Sequence, residues 1–424
     1  MTESDFVFYA DSEQAEFEVY SDWEMTMGCD EDDECGRFAS RLVSFATKFG
    51  LSGNLWQQWI AYLLISDENP LSLACERKKV NENATMLKLA RSDFEKAFEL
   101  FNEGPESDDE AGLSEIFEIF SDYRAPYETD KKNSAGAQIK KLAVELSAAR
   151  NPAEFGTAVT KYYEDNGCGI FGLYRAFRIE GEELCMEIKP IADAEDVMLS
   201  ELVGYDDQKE ALVSNTEAFI KGLPANNVLL YGDSGTGKST SVHALIREYY
   251  SSGLRMIDLG KSDRNRLPEL LSEIKKRNYK FVIFMDDLSF EEDESDYKEL
   301  KAMLEGALES REENVLIYAT SNRRHLIKET WKDRNDMEFN EDVHRSDTME
   351  EKLSLASRFG VTIYYGKPDY KEYMNIVEEL AKRENLSISY DELSDEARKW
   401  SLRHGSTSGR TASQLIKWIK GRDN

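Results

Sequence analysis

The sequence predicts a protein of the α/β class, in which a mainly helical N-terminal region with a short β-hairpin precedes a doubly wound parallel sheet. Three observations predict this fold class. From about residue 226, short apolar runs alternate with helical stretches, as strands joined by crossover helices do. Before that point, apolar residues recur at three- and four-residue steps, which is the spacing of one helix face. After Pro368 the pattern is again helical, so we expect the sheet to be followed by a helical C-terminal segment.

A chain of 424 residues is too long for one ordinary hydrophobic core. We divide it into an acidic, mainly helical region (1–150), a connector made of a helix and a β-hairpin (151–195), a sheet-containing core (196–367) and a helical segment (368–424). The hairpin is predicted from two short apolar runs on either side of a turn that contains Gly181.

The charge of the chain is strongly and unevenly negative. Its 83 acidic and 53 basic side chains give a formal net charge of −30, and residues 1–36 contain no Lys or Arg. Such a surface repels nucleic acid and anionic lipid, so the sequence predicts against direct nucleic-acid binding. The acidic run Asp30–Glu34 lacks the alternating ligands and the glycine of a calcium loop, and we interpret it as a solvated or partner-facing surface.

Cysteine usage and hydropathy predict a cytoplasmic protein that does not associate with membranes. The five cysteines form no C-x-x-C pair, which indicates reduced thiols. The start of the chain has no basic segment of the kind that opens a secretory signal, and the apolar stretch Trp59–Ile65 is far too short to span a bilayer. The four histidines are scattered, so we do not expect a zinc site.

The strongest chemical signal is a glycine-rich segment, Gly232–Ser239, which reads G-D-S-G-T-G-K-S directly after the apolar run Asn227–Tyr231. Glycines let such a loop wrap around phosphate oxygens, and the following helix points its positive end at the same anion. A glycine-rich turn that only caps a helix is the alternative. The lysine and serine in register favour ATP binding with Mg²⁺. The candidate binding residues here are Gly232, Asp233, Ser234, Gly235, Thr236, Gly237, Lys238, Ser239 and Thr240.

A second apolar run, Tyr279–Met285, ends in two aspartates. Carboxylates at the carboxyl end of a buried parallel strand lie in the ligand crevice of a doubly wound sheet. We therefore predict that Asp286, with Ser239, holds Mg²⁺ and that Asp287 polarises the attacking water. An Asp-Asp turn after a strand is the alternative.

A third apolar run, Asn314–Ser321, is followed by Asn322. The amide of Asn322 is predicted to orient the water or to contact the γ-phosphate. Capping of the next helix is the alternative for this residue.

The order of these segments, completed by Ser357-Arg358-Phe359-Gly360, resembles the AAA+ superfamily of P-loop ATPases. The resemblance implies a C-terminal helical lid over the nucleotide. It identifies Asn322 as sensor 1 and Arg358 as an arginine finger that acts on ATP held by a neighbouring subunit. Gly204, within Leu202–Tyr205, resembles the nucleotide-base motif, and Arg410 resembles sensor 2. Both arginines also have ordinary alternatives, a surface ion pair for Arg358 and a common early helix position for Arg410.

More narrowly, Ala225–Gly232, Met285–Phe290 and Gly169–Leu173 resemble the bacterial ATPase family known as domain of unknown function 815. This resemblance covers roughly residues 155–424. Many AAA+ enzymes have Asp-Glu at the acidic strand, whereas here the second acid is the shorter Asp287. We therefore expect ATP hydrolysis to be slow.

The function that we predict is that of an ATPase, with Lys238, Asp287, Asn322 and Arg358 as catalytic residues. It forms homo-oligomers and uses ATP to remodel or load a partner protein, which the acidic N-terminal region recognises. One alternative is an ATP-dependent binding switch with little hydrolysis. Another is a loader-like accessory ATPase in DNA metabolism that acts through a protein. A small-molecule P-loop kinase is a third, although the chain shows no acceptor-site motif.

Overall fold

The computed structural model describes residues 8, 32–77, 84–103, 118–125, 134–181, 186–192, 194, 197–288, 313–322 and 358–423. They belong to two compact units. One is formed by Met1–Arg175 and Pro190–Asp193, and the other by Ala176–Lys189 and Ala194–Asn424. The acidic run Asp30–Glu34 lies outside the residues whose side chains are described.

The first unit is helical, as the apolar periodicity predicts. Its helices are α1 (Asp32–Phe49), α2 (Leu55–Ser66), α3 (Pro70–Glu76), α4 (Thr85–Glu103), α5 (Ser134–Ser147), α6 (Pro152–Asn166) and α7 (Gly169–Leu173). Local chemistry sets several of their first residues. The side chains of Asn54, Asn69 and Asn151 accept hydrogen bonds from N–H groups in the first turns of α2, α3 and α6. Helix α2 buries residues on most of its faces because it lies at the centre of this unit.

The predicted division of the chain into four parts stays a prediction, and the two compact units divide the chain within residues 151–195. Helix α6 buries Phe155, Val159 and Tyr163 and packs against α3 and α4 of the helical unit. The strands that follow, β1 (Ala176–Glu180) and β2 (Glu187–Pro190), lie at one edge of the sheet of the second unit. Helix α6 and the strands β1 and β2 belong to larger cores because a hairpin by itself buries too little apolar surface to be stable.

The second unit is built on a seven-stranded sheet, whose further strands are β3 (Val228–Gly232), β4 (Leu254–Asp258), β5 (Lys280–Met285), β6 (Val315–Ser321) and β7 (Val361–Tyr365). The strand order is β2-β1-β4-β5-β6-β3-β7, and the neighbours from β1 to β7 pair in parallel. The central strands are buried on both faces, as their continuous apolar runs predict. Parallel pairing brings the carboxyl ends of β3, β5 and β6 to the same edge of the sheet. The predicted doubly wound sheet is confirmed.

The helices of this unit complete the α/β fold and the C-terminal lid. They are α8 (Asp206–Ile220), α9 (Lys238–Tyr249), α10 (Leu267–Ile274), α11 (Tyr370–Arg383), α12 (Tyr390–His404) and α13 (Gly409–Asp423), with 3₁₀ turns at Leu199–Glu201, Tyr250–Ser252 and Lys261–Arg266. Helices α11 to α13 enclose their own apolar cluster, which includes Tyr373, Val377, Ala397, Leu415 and Ile419. Among the described residues, no helix combines the length and the apolar content needed to cross a membrane.

Gly232 is the position where strand pairing depends most closely on the absence of a side chain. Its φ is +135°, and a Cβ there would lie 2.2 Å from the carbonyl oxygen of Tyr365 on β7. We expect Gly232→Ala to lower the free energy of unfolding by about 2–4 kcal/mol, because both the backbone conformation and the β3–β7 pair would be strained. Urea denaturation without nucleotide measures this loss.

The matched control is Gly253→Ala, since Gly253 also has a positive φ, of 86°, but a Cβ there would meet nothing within 4 Å. This variant should lose only about 1 kcal/mol. Equal losses for the two variants would show that the contact with Tyr365 is unimportant.

Candidate nucleotide-binding site

The glycine-rich loop connects the end of β3 to the start of α9 and presents its backbone to the edge of the sheet. Gly232, Gly235 and Gly237 all have positive φ, at 135°, 76° and 91°. Gly237 is the N-cap of α9, and no side chain caps this helix. The first N–H groups of α9 are therefore available to an anion, as the sequence predicts.

Lys238 is buried at the base of this loop, with a relative exposure of 5%. Its Nζ donates hydrogen bonds to the carbonyl oxygen of Asp233 at 2.7 Å, to Oδ1 of Asn322 at 3.0 Å and to the carbonyl oxygen of Gly232 at 3.4 Å. Burial lowers the pKa of Lys238 below its usual value, and the negative charges of Asp233, Asp286 and Asp287 partly oppose this shift. The ammonium group is thus held in place by acceptors at the carboxyl ends of two different strands, β3 and β6.

The two aspartates after β5 have different partners. Oδ1 of Asp286 accepts hydrogen bonds from the hydroxyl of Ser239 at 2.7 Å and from that of Thr320 at 2.5 Å. Asp287 has a positive φ of 50°, and its Oδ1 accepts from Nδ2 of Asn322 at 2.7 Å. Asp286 therefore faces the start of α9, and Asp287 faces the tip of β6.

Thr320 links the two aspartates and was missed in the sequence. Its hydroxyl donates to Asp286 and accepts the backbone N–H of Asp287 at 2.9 Å. The signal that could have identified it is its position two residues before Asn322, since alternate residues of a strand lie on the same face. Thr320 fixes the turn that directs the two carboxylates apart.

The oxygen atoms of Ser239 and Asp286 suit Mg²⁺, which prefers hard oxygen ligands and keeps several waters. Within the described part of the chain, no group of three or more His, Cys, Asp or Glu side chains could hold a metal ion. A site of one hydroxyl and one carboxylate fits an ion whose remaining ligands are phosphate oxygens and water.

These groups line one cleft of about 610 Å³. The predicted residues in its lining are Ser234, Gly235, Thr236, Gly237, Lys238, Ser239, Thr240, Asp286, Asp287, Asn322 and Arg410. Gly204, Gly232 and Asp233 are not in this lining. Gly232 and Asp233 begin the loop, and their carbonyl oxygens accept from Lys238. The structure thus brings together most of the residues that the sequence predicts for this site.

The apolar end of the cleft is formed by a segment that we call the base loop, residues 199–205. Leu202 and Val203 line the cleft there together with Ile376 and Leu380 of α11. Gly204 has a φ of +79°, which permits the turn between Val203 and Tyr205.

Tyr205 anchors the end of the base loop to β7. Its ring stacks on Tyr365 with the ring centroids 5.1 Å apart, and its hydroxyl donates to the carbonyl oxygen of Gly366 at 2.9 Å. Burial raises the pKa of Tyr205 above its usual value of 10, so its hydroxyl remains a donor at alkaline pH as well. The base loop is therefore fixed against β7, the strand that pairs with β3 where the glycine-rich loop begins.

The lid contacts the glycine-rich loop through the start of α13. The backbone N–H of Arg410 donates to the carbonyl oxygen of Gly235 at 3.3 Å. Ser408 is so close that a Cβ on Gly235 would lie 3.0 Å from its Oγ. The predicted sensor residue Arg410 consequently has its backbone at the phosphate end of the cleft.

Arg358 is a predicted catalytic residue that the single chain does not place in the lining of the cleft. It is half-buried and lies just before β7, and it is not among the described residues that line the cleft. Ser357, which precedes it in the resemblance, lies outside the described residues. This location agrees with a residue that acts on a neighbouring subunit, and the role itself stays a prediction.

Comparison with known proteins identifies a family. Residues 173–423 match the family described as "Protein of unknown function (DUF815)". This match covers more than half of the chain and confirms the resemblance seen in the sequence.

More distant similarity links shorter parts of the chain to replication proteins. The chain is 36% identical over 76 residues to the replication factor C large subunit of Methanococcus vannielii, and 33% identical over 87 residues to that of Sulfurisphaera tokodaii. These alignments cover 18% and 20% of this chain and 15% and 19% of the two relatives. The chain therefore spans less than a fifth of the length of these relatives.

Among solved structures, the chain resembles the Thermotoga maritima RuvB Holliday junction branch migration motor, with 18% identity and a TM-score of 0.36 over 52% of this chain and 63% of that one. It also resembles the replication initiator DnaA bound to AMPPCP and single-stranded DNA, with 20% identity and a TM-score of 0.37 over 53% and 64%.

The buried ammonium of Lys238 makes the stability of the nucleotide-free protein depend on pH. Burial holds its folded-state pKa below the usual 10.5, so between these two values the unfolded chain binds a proton that the native state has released. The free energy of unfolding of the wild type, minus that of Lys238→Met, should therefore increase as the pH rises through this window.

Urea denaturation of both proteins without nucleotide, at about pH 8 and about pH 10, measures the difference. A difference that stays constant or becomes smaller as the pH rises would show that burial does not destabilise the protonated lysine.

Proposed function

This chain belongs to the DUF815 family, within the AAA+ class of P-loop proteins, and we propose that it is a Mg²⁺-dependent ATPase that forms homo-oligomers. In this proposal, ATP binding and hydrolysis to ADP and phosphate drive the remodelling or loading of a partner protein. The reaction takes place in the cleft between the glycine-rich loop, the carboxyl ends of β5 and β6, and the lid.

One observation supports this proposal most directly. A continuous chain of hydrogen bonds runs from Ser239 through Asp286, Thr320, Asp287 and Asn322 to Lys238. It connects the start of a helix, two strand ends and a buried cation around one opening. A structural turn needs no such arrangement, whereas phosphoryl transfer depends on positioned cations, a metal site and a group that orients water.

We assign the residue roles from these partners. The N–H groups of the loop and the ammonium of Lys238 hold the triphosphate. Ser239 and Asp286 hold Mg²⁺, which when bound neutralises charge on the phosphate oxygens. Asp287 polarises the attacking water, and Asn322 positions its carboxylate. The short side chain of Asp287 supports a slow turnover.

Asp287→Asn should separate nucleotide binding from hydrolysis. The substitution keeps the size of the side chain and removes its negative charge, so the Kd for Mg·ATP should change less than about threefold while phosphate release falls about 100-fold. Calorimetry and a phosphate-release assay measure the two quantities.

Asp165→Asn, at an exposed position near the end of α6, is the matched control and should leave both quantities unchanged. If Asp287→Asn retains full turnover, the assignment of Asp287 is wrong. The same variant is suited to capture of the partner protein, with Lys238→Ala as the form that does not retain ATP.

Self-association is part of the proposal because Arg358 does not line the cleft of its own chain. An arginine supplied by a second subunit can stabilise the charge that develops on the transferred phosphoryl group. In this arrangement each cleft is completed by a neighbour, and turnover per chain increases with protein concentration.

A mixing experiment tests the action of Arg358 on a neighbour. Alone, Arg358→Ala should bind Mg·ATP but turn it over about 1000-fold more slowly, and Lys238→Ala should not bind it. Mixed in equal amounts, the two variants should regain part of the wild-type phosphate release, since one supplies the cleft and the other supplies the arginine.

Absence of recovery, together with a single-chain mass in the presence of ATP, would remove self-association from the proposal. Asp165→Ala, mixed with Lys238→Ala, shows the activity expected from a subunit that has both an intact cleft and Arg358.

We further propose that the acidic N-terminal region recognises the partner protein and that the protein acts in the cytoplasm. The excess of acidic residues in 1–36 supports a surface for a basic protein and argues against direct contact with nucleic acid. The scattered cysteines support a reducing compartment. Of these cysteines, Cys75 and Cys168 are buried thiols.

A second candidate function is an ATP-dependent binding switch with little hydrolysis. The observation that favours it is the hydrogen bond from Asn322 to Asp287, which occupies an oxygen of the carboxylate that would polarise water. Tight binding of Mg·ATP without phosphate release at any protein concentration would support the switch and exclude the ATPase.

A loader-like role in DNA metabolism is a third candidate, favoured by the similarity to replication factor C large subunits. If the chain acts there through a protein, duplex or single-stranded DNA should neither bind to the isolated chain nor stimulate its turnover.

A further inference from the structure

Three consecutive carbonyl oxygens of the base loop are held by two cationic side chains. The guanidinium of Arg383 donates from Nη1 to the carbonyl oxygen of Glu201 and from Nη2 to that of Ser200, the latter at 3.1 Å. The ammonium of Lys209 donates to the carbonyl oxygen of Leu202 at 2.9 Å. Hydrogen bonds from charged donors are stronger than neutral ones, so this short segment is firmly positioned.

The two cations come from different parts of the second unit. Lys209 is in the first turns of α8, beside the sheet, and also pairs with Asp206 at 2.8 Å. Arg383 is the last residue of α11, which is a lid helix. The base loop is consequently attached to the sheet-containing core through one cation and to the lid through the other.

Apolar packing adds a second attachment to the lid. Val203 packs against the apolar cluster of the three lid helices. Leu202 and Val203 also line the cleft beside Ile376 and Leu380, which belong to the same helix as Arg383. The apolar wall of the cleft is therefore shared between the base loop and α11.

This wall is the part of the cleft lining that matches the flat apolar ring of a nucleotide base. The phosphate end has its own contact with the lid, from the N–H of Arg410 to Gly235. The lid therefore contacts the base loop and the glycine-rich loop through different helices, and the two contacts can be perturbed separately.

We propose that Arg383 is a positioning residue for the base of the nucleotide. It ties the base loop to α11, so the apolar wall is complete only when this lid helix is in place. Because the side chain of Arg383 donates its hydrogen bonds, among the described residues, to the backbone of residues 200 and 201, Arg383 affects binding of the base and leaves binding of the triphosphate unchanged. This inference rests on the proposed nucleotide function and adds the residue that couples the base loop to the lid.

The test compares two ligands in calorimetry, Mg·ATP and Mg·tripolyphosphate, of which only the first has a base. Arg383→Met should weaken binding of Mg·ATP by about tenfold and leave that of Mg·tripolyphosphate unchanged. Arg383→Lys should restore part of the affinity, because a single donor can still reach one of the two carbonyl oxygens. Lys382→Met is the matched control, since Lys382 is the neighbouring exposed cation and pairs only with Glu379 among the described residues.

Hydrogen exchange of the nucleotide-free protein gives a second readout that does not depend on ligand binding. Arg383→Met should speed amide exchange in residues 199–205 and leave the segment Gly232–Ser239 unchanged. Equal loss of affinity for both ligands, the same affinities as in Lys382→Met, or unaltered exchange in residues 199–205 would each overturn the proposal. Failure of the proposed function looks different, because the wild type itself would then not bind Mg·ATP and Lys238→Ala would change neither ligand.

Discussion

The cation of Lys238, buried between the carboxyl ends of two strands, is the interaction on which the rest of the site depends. A buried ammonium is stable only if acceptors replace its lost water, and here two carbonyl oxygens of the loop and the amide of Asn322 do so. Those acceptors meet because β3 lies directly beside β6 in the sheet. The close pairing of β3 with β7 at Gly232 then fixes where the loop begins.

From this cation the order of the site follows along the hydrogen bonds. Asn322 accepts from Lys238 and donates to Asp287, so one amide links the positive charge to one carboxylate. Thr320 separates this carboxylate from that of Asp286, whose other partner is Ser239. Two adjacent aspartates thus have two different surroundings, which is how neighbouring acids take on different tasks.

The sequence predicts the parts of the site that depend on local spacing. The glycine-rich loop, the aspartate pair and Asn322 each follow a buried strand directly, so their place at one edge of the sheet can be inferred without knowing the strand order. Thr320 was missed because a threonine in a β-strand has an ordinary β-propensity explanation. Arg383 was missed because it is far in sequence from the base loop. For both Arg383 and Lys209, the sequence around the residue contains no pattern that indicates a hydrogen bond to a backbone carbonyl oxygen.

The predicted connector at 151–195 shows a different limit. Its helix and its strands are predicted from local periodicity, yet α6 packs in the helical unit and β1 pairs with β4 in the sheet. Periodicity reports that a face is apolar and does not report which core covers that face. Tertiary packing therefore decides domain membership where local patterns indicate only the type of element.

One apolar cluster joins the two lid helices that contact the core, α11 through Arg383 and α13 through the N–H of Arg410. Helix α11 carries Arg383 and part of the apolar wall, and α13 carries the N–H that reaches Gly235, while both helices contribute to one cluster. A shift of either helix alone would expose that cluster to water, which is unfavourable in proportion to the apolar area. The three lid helices are thus expected to move as one body, which is attached to the base loop through Arg383 and to Gly235 through a separate backbone hydrogen bond.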